Sequence, residues 1–196
     1  QRQMCIRDRS TAAAATAVAE ALTDSSYDGV YLNITPSAEN GDALAAFVQA
    51  LRAAVPEKKL YVAASAPARR EAIPDYQALG KAADRIVLQV SGHEDTDGAV
   101  PVYAMEPLET VYYALSALND QIPGEKLALL LRAEGHGRKG TGKPTAFSGD
   151  TVAALEAKGR TYYSDRYACA YLETKDTVVW YLTVSYTHLR AHETSA

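Results

Sequence analysis

The chain has 196 residues, 47% of them hydrophobic and 22% charged, and carries a formal net charge of −4. A mildly acidic balance without a basic stripe argues against a nucleic-acid surface, and no apolar run approaches the roughly 18 residues of a membrane span.

Helix and strand signals alternate along most of the sequence, which argues an α/β fold with a parallel sheet. Residues 12–22 are Ala-rich and helical by propensity. Residues 30–34 form the first predicted strand. Ser37 is placed to cap a helix that runs to about Ala54, with Leu44, Phe47, Val48 and Leu51 at the spacing of a buried stripe and Pro56 just beyond its end. Residues 60–64 give the second strand, 76–83 a short helix and 85–90 the third strand. A loop rich in acids and Gly follows, then a helix over 108–118. The near-continuous apolar run at 126–131 reads as a fourth strand, covered on both sides. Gly and Lys then dominate residues 135–144, read as a loop, followed by a short helix over 149–158. Two last strands, 167–173 and 177–182, are joined by a turn at Thr174-Lys175-Asp176.

The stretch Tyr27-Asp28-Gly29-Val30-Tyr31-Leu32-Asn33-Ile34-Thr35 carries the most chemistry. Strand alternation puts Tyr31, Asn33 and Thr35 on one face and Val30, Leu32 and Ile34 on the other. It resembles the active-site strand of glycoside hydrolase family 18, the chitinases and bacterial spore and cell-wall glucosaminidases, where the strand reads roughly Asp-Gly-x-x-x-Asp-x-Glu. Gln121-Ile122-Pro123-Gly124-Glu125-Lys126-Leu127 and Val178-Val179-Trp180-Tyr181 add to the resemblance, which covers nearly all of residues 10–183. It implies the second part of a TIM (β/α)8 barrel, strands four to eight. A small α+β insertion at about 136–176 would precede the last strand.

In that family the Glu protonates the glycosidic oxygen, the Asp two residues earlier orients the substrate's N-acetyl group, and a Tyr after barrel strand six helps hold it. The resemblance puts Thr35 at the Glu, Asn33 at the Asp and Ser91, within Gln89-Val90-Ser91-Gly92, at the Tyr. A threonine hydroxyl does not titrate near neutral pH, whereas general acid catalysis needs a group that does. The resemblance therefore implies a non-catalytic binder of GlcNAc-containing polysaccharide, chitin or peptidoglycan, at the cell envelope or outside the cell, with no cofactor. Trp180, at the expected end of barrel strand eight, is the candidate floor of the sugar site. Tyr31, Asn33, Gln89 and Tyr103 are further candidate ligand contacts. Two alternatives stay open: an active glycosidase using a displaced acid, with Glu134, Glu39 and Glu94 as candidates beyond strand ends, and a scaffold or protein-binding barrel.

Gly137-Arg138-Lys139-Gly140-Thr141-Gly142-Lys143-Pro144 mimics a phosphate-binding loop, but Pro144 replaces the Mg²⁺-ligating hydroxyl and lacks an N–H. Glu94-Asp95-Thr96-Asp97-Gly98 lacks the bidentate Glu of a calcium loop. No metal site is expected. Residues 1–9 and most of 184–196 resemble translated sequencing adaptors and are set aside from fold reasoning. With them go Cys5, His188 and His192. Cys169 remains as the single cysteine, and the remaining segment is more acidic than the whole.

Overall fold

The structure is a computed structural model describing residues 2–23, 26–34, 41–66 and 75–182. Thr35, Ser37, Glu39, His188 and His192 lie outside the described residues. The chain divides into two compact units, Gln1–Gln89 with Tyr113–Leu130, and Val90–Tyr112 with Leu131–Ala196.

The first unit is built on a parallel sheet. In chain order it contains α1 (Arg2–Thr23), β1 (Gly29–Leu32), α2 (Gly41–Ala54), β2 (Lys59–Ser65), α3 (Tyr76–Ala82) and β3 (Arg85–Gln89). Helical geometry in α1 begins at Arg2, ten residues ahead of the expected start. The sheet is completed by β6 (Leu127–Leu129), which a 3-10 turn at Gly124–Lys126 introduces. Its order is β1-β2-β3-β6, all parallel. Val30, Leu32, Leu60, Val62, Ala64, Ile86, Leu88, Leu127 and Leu129 share one face and join a core with the helices. Ala15, Ala19 and Leu22 of α1 and Leu44, Val48 and Leu51 of α2 supply apolar stripes at helical spacing.

Arg52 ties this unit together. Its guanidinium donates to the carbonyls of Ala82, Pro56 and Lys58 and to Asp84 Oδ2 at 2.6 Å. Asp84 also accepts from the Leu60 N–H at 2.8 Å while its own N–H donates to the Leu60 carbonyl. Burial opposes the charge on Asp84, but the Leu60 N–H and the Arg52 guanidinium together hold its carboxyl below the ordinary value. A depressed carboxyl contributes stability above its unfolded pKa of about 3.9 and loses it as pH falls through the folded value. Asp84→Asn is therefore expected to cost about 1–3 kcal/mol at neutral pH. The deficit should shrink below about pH 4, as acid-titrated melting curves would show.

The second unit contains a hairpin of β4 (His93–Asp95) and β5 (Val102–Ala104) and the first turns of α4 (Leu108–Leu118), which runs on into the first unit. Next come β7 (Gly135–Lys139), β8 (Thr145–Phe147), α5 (Gly149–Glu156), β9 (Arg160–Ser164), β10 (Cys169–Glu173) and β11 (Thr177–Tyr181). These strands form an antiparallel sheet ordered β8-β7-β11-β10-β9. Val179, Tyr181, Ala170 and Leu172 pack with Val152 and Leu155 of α5 on one face. Trp180, Cys169, Tyr103 and Tyr167 pack on the other. Ser148 caps α5 by accepting from the Thr151 N–H.

Three expectations are corrected. Among the described residues the parallel strands number four rather than five, because residues 177–182 join the antiparallel sheet. The Gly- and Lys-rich residues 135–139 form β7, an inner strand, instead of a loop. The fourth predicted strand is only half-buried, and Leu131 beyond it is 51% exposed, so it is not covered on both sides. The strand pairs β4–β5 and the strands β8 and β9 were not foreseen.

Candidate functional site

The face of the parallel sheet opposite the core shared with the helices carries polar and aromatic residues. Strand register places Tyr31, Tyr61 and Arg85 in one row and Ala63, Val87 and Ala128 in the next. Tyr31 is 45% and Tyr61 38% exposed. Asn33 follows β1 at the level of Ala63, while Gln89 ends β3 opposite Ser65. Across the intervening strand β2, Gln89 Nε2 donates to Asn33 Oδ1 at 3.2 Å. Ala63 has no side chain beyond Cβ, which leaves room for the two amides to meet above it. This brings together two residues 56 positions apart in sequence at the carboxyl ends of parallel strands, where ligands of barrel proteins sit. Together the amides offer donors and acceptors without a titratable group.

The other candidates fall in the second unit. Ser91 is exposed just after β3. Glu94 is exposed in β4, opposite Tyr103. Asp95 accepts from the Asp97 N–H in the turn that follows, so this acidic stretch is a hairpin element. Glu134 is half-buried between β6 and β7. Among the described residues no cluster of three His, Cys, Asp or Glu is arranged to hold a metal ion, and no helix is long and apolar enough to cross a membrane.

Trp180 sits in a different sheet from the expected barrel strand. It is 3% exposed, its indole N–H donates to the Pro101 carbonyl at 2.8 Å, and one face stacks on Tyr171 at 4.6 Å with Tyr167 edge-on at 5.6 Å. As placed it is a core residue, its polar handle satisfied. Tyr103 is 1% exposed, edge-on to His136 at 6.1 Å. Neither ring is open to a ligand in this conformation.

The sequence reading missed a buried ion pair in the second unit. Glu106 is 4% exposed, and its Oε1 accepts from Arg132 Nε at 2.6 Å. Arg132 also donates to the Met105 carbonyl at 3.3 Å. Glu106 Oε2 and the Tyr103 hydroxyl have no partner among the described residues. Burial, helped by Glu106, pushes the Cys169 thiol up to about 12, and its Sγ–H donates to the Tyr167 carbonyl. Such a thiol is inert at neutral pH. Nothing in the Met-Glu-Pro sequence around Glu106 announces this pair.

No protein-family sequence profile matches the chain, and no characterised protein matches it by sequence. Solved structures do match. A sporulation-specific glycosylase, ydhD of Bacillus subtilis, superposes with a TM-score of 0.77 and 16% identity over 92% of this chain and 66% of its own. A chitinase from Chromobacterium violaceum gives 0.75 and 19% over 91% and 61%. YKL-39, solved in the presence of chitooligosaccharides (GlcNAc4), gives 0.73 and 15% over 91% and 61%. The chain thus spans 61–66% of the length of these structures. At such identities the likeness shows the fold, which is that of glycoside hydrolase family 18.

Proposed function

With the family 18 fold as premise, we propose that this chain is part of a carbohydrate-binding protein that holds a GlcNAc-containing polymer, chitin or peptidoglycan, outside the cell or at its envelope without cleaving it. In this reading β1, β2, β3 and β6 correspond to barrel strands four to seven. The observation that carries it is the Asn33–Gln89 amide pair, which lies where the resemblance puts an orienting carboxylate and its neighbours. Neutral amides hydrogen-bond sugar hydroxyls and acetamido groups, but neither delivers a proton to a leaving oxygen. Exposed Tyr31 and Tyr61 on the same face add apolar surface for a pyranose ring. Thr35, in place of the family's acid, removes the proton donor. That YKL-39 was solved with GlcNAc4 supports a GlcNAc oligomer as the ligand class.

The test is calorimetric titration with chitotetraose, alongside reducing-end release from the same sugar. Binding without turnover is expected. Asn33→Ala and Gln89→Ala should each weaken binding by up to about tenfold, the equivalent of one hydrogen bond of roughly 0.5–1.5 kcal/mol. The double variant should be less than additive because each removes the other's partner. Turnover that disappears in Glu134→Gln yet survives Thr35→Ala would establish the displaced-acid glycosidase instead. Absence of both binding and turnover would favour the scaffold reading.

A further inference from the structure

The two edges of the antiparallel sheet differ. β8 is three residues long and follows Pro144, so it offers little to a further strand. β9 has five residues, Arg160-Thr161-Tyr162-Tyr163-Ser164, with no Lys, Pro or Gly among them. All five pair with β10 residue for residue, without a bulge. Long edges rich in Thr and Tyr are normally blunted by lysine, proline or a bulge, and β9 has none of these. Among the described residues no strand lies along its outer side.

A column of rings ends at the same edge. Trp180, Tyr171 and Tyr162 stand opposite one another on β11, β10 and β9. Trp180 and Tyr171 stack at 4.6 Å and 20°, Tyr171 and Tyr162 at 5.1 Å and 19°. Both steps match the usual spacing of neighbouring strands, about 4.8 Å. The sheet therefore sets the rhythm of the column, which continues only where another strand brings an aromatic residue into the same register. Tyr162, its last member, is 38% exposed.

We infer that β9 is an interface with a second copy of this chain, the two β9 strands pairing antiparallel about a twofold axis at Tyr162. An isologous contact needs a strand that complements itself. This pairing sets Tyr162 opposite Tyr162, Thr161 opposite Tyr163 and Arg160 opposite Ser164, so no like charges face each other within the strand. Just beyond it, Asp165 falls opposite Gly159, between Lys158 and Arg160, while Arg166 is turned onto the Tyr167 ring at 5.3 Å. The column would then run on from Tyr162 into Tyr162 and Tyr171 of the second copy at the same step. A contact of five residues is small beside the roughly 1,200–2,000 Å² of a stable interface, which makes the dimer weak and concentration-dependent. This inference uses only the second unit and does not depend on the sugar-binding reading.

Sedimentation equilibrium of the full chain, from micromolar to millimolar concentration, should show a reversible monomer–dimer equilibrium. Tyr162→Lys sets two ammonium groups face to face on the axis, and Tyr162→Glu two carboxylates. Each variant alone should dimerise at least about tenfold more weakly. Mixed in equal amounts, the two should recover association as a heterodimer, because opposite charges then meet. That recovery is specific to a register that puts residue 162 opposite itself. Ala146→Lys, at an exposed position of the β8 edge, should leave the equilibrium unchanged. Circular dichroism would confirm that each variant stays folded. A chain that is monomeric at millimolar concentration, dimerisation untouched by Tyr162→Lys, or no recovery on mixing would each overturn the inference. So would an equal loss in Ala146→Lys, which would place the contact elsewhere. A monomer that binds chitotetraose in a manner abolished by Tyr162→Lys would make the edge a sugar platform instead.

Discussion

Gly137→Ala is expected to abolish the native packing of the second unit. Gly137 is the middle residue of β7, paired with Val179 of β11. A Cβ there would collide with the backbone carbonyl of Val178 and come within 2.6 Å of Val179 Cα. Both are main-chain atoms of a neighbouring strand, so no rotamer change relieves the clash; β7 and β11 must separate. Overpacking in cores typically costs about 1–3 kcal/mol, and a clash between backbones belongs at or above the top of that range. Trp180 provides the readout. It is the chain's single tryptophan and stacks on Tyr171 in the same sheet, so its fluorescence should shift to the red and its thermal transition vanish or broaden. Gly140→Ala is the control. Gly140 has φ +57°, with open space around a would-be Cβ, so only the left-handed strain of roughly 1–2 kcal/mol applies. Equal melting of the two variants would disprove the close approach of β7 and β11.

Arg132→Ala is expected to cost about 2–4 kcal/mol. Among the described residues, the change removes the one charge paired with the Glu106 carboxylate, whose side chain is 2% exposed. Removing one partner of a buried pair typically costs about 3–5 kcal/mol, because it strands the other charge. The Arg132 side chain is 38% exposed, and solvent screening lowers the expectation. Adding Glu106→Gln to Arg132→Ala should recover part of the loss, since a neutral amide is less costly to bury. A double-mutant cycle in urea, followed by Trp180 fluorescence, measures the coupling. Additive losses would show that the two groups do not act as a pair.

The parallel half of the chain was legible because its signals are local. Of the α2 stripe, Leu44, Val48 and Leu51 are buried and Phe47 packs against them partly buried, and the strands expected over 60–64 and 85–90 form β2 and β3. The 108–118 helix begins and ends where the sequence placed it. Asn33 and Gln89 are candidates in the sequence through the resemblance of two separate segments, residues 27–35 and 89–92. Their hydrogen bond is not legible there, because it depends on register across β2 and on the small side chain of Ala63.

The antiparallel half misled for a reason that Gly137 illustrates. Glycine and lysine together signal a turn when only neighbours in sequence are considered, and residues 135–144 were accordingly read as a loop. In the folded chain the glycine is required by contact with Val178 and Val179, some forty residues away, and close backbone approach is the other reason for glycine in a strand. Trp180 shows the same division. Its sequence neighbours established a strand, but not which sheet would accept it or that Pro101 and Tyr171 would enclose its ring. The helices and the parallel strands were legible from the sequence. Those depend on side-chain chemistry and on periods of 2 and 3.6 residues. Tertiary structure alone decided the pairing of β7 with β11 and the Glu106–Arg132 ion pair, because each joins segments whose proximity no local period encodes.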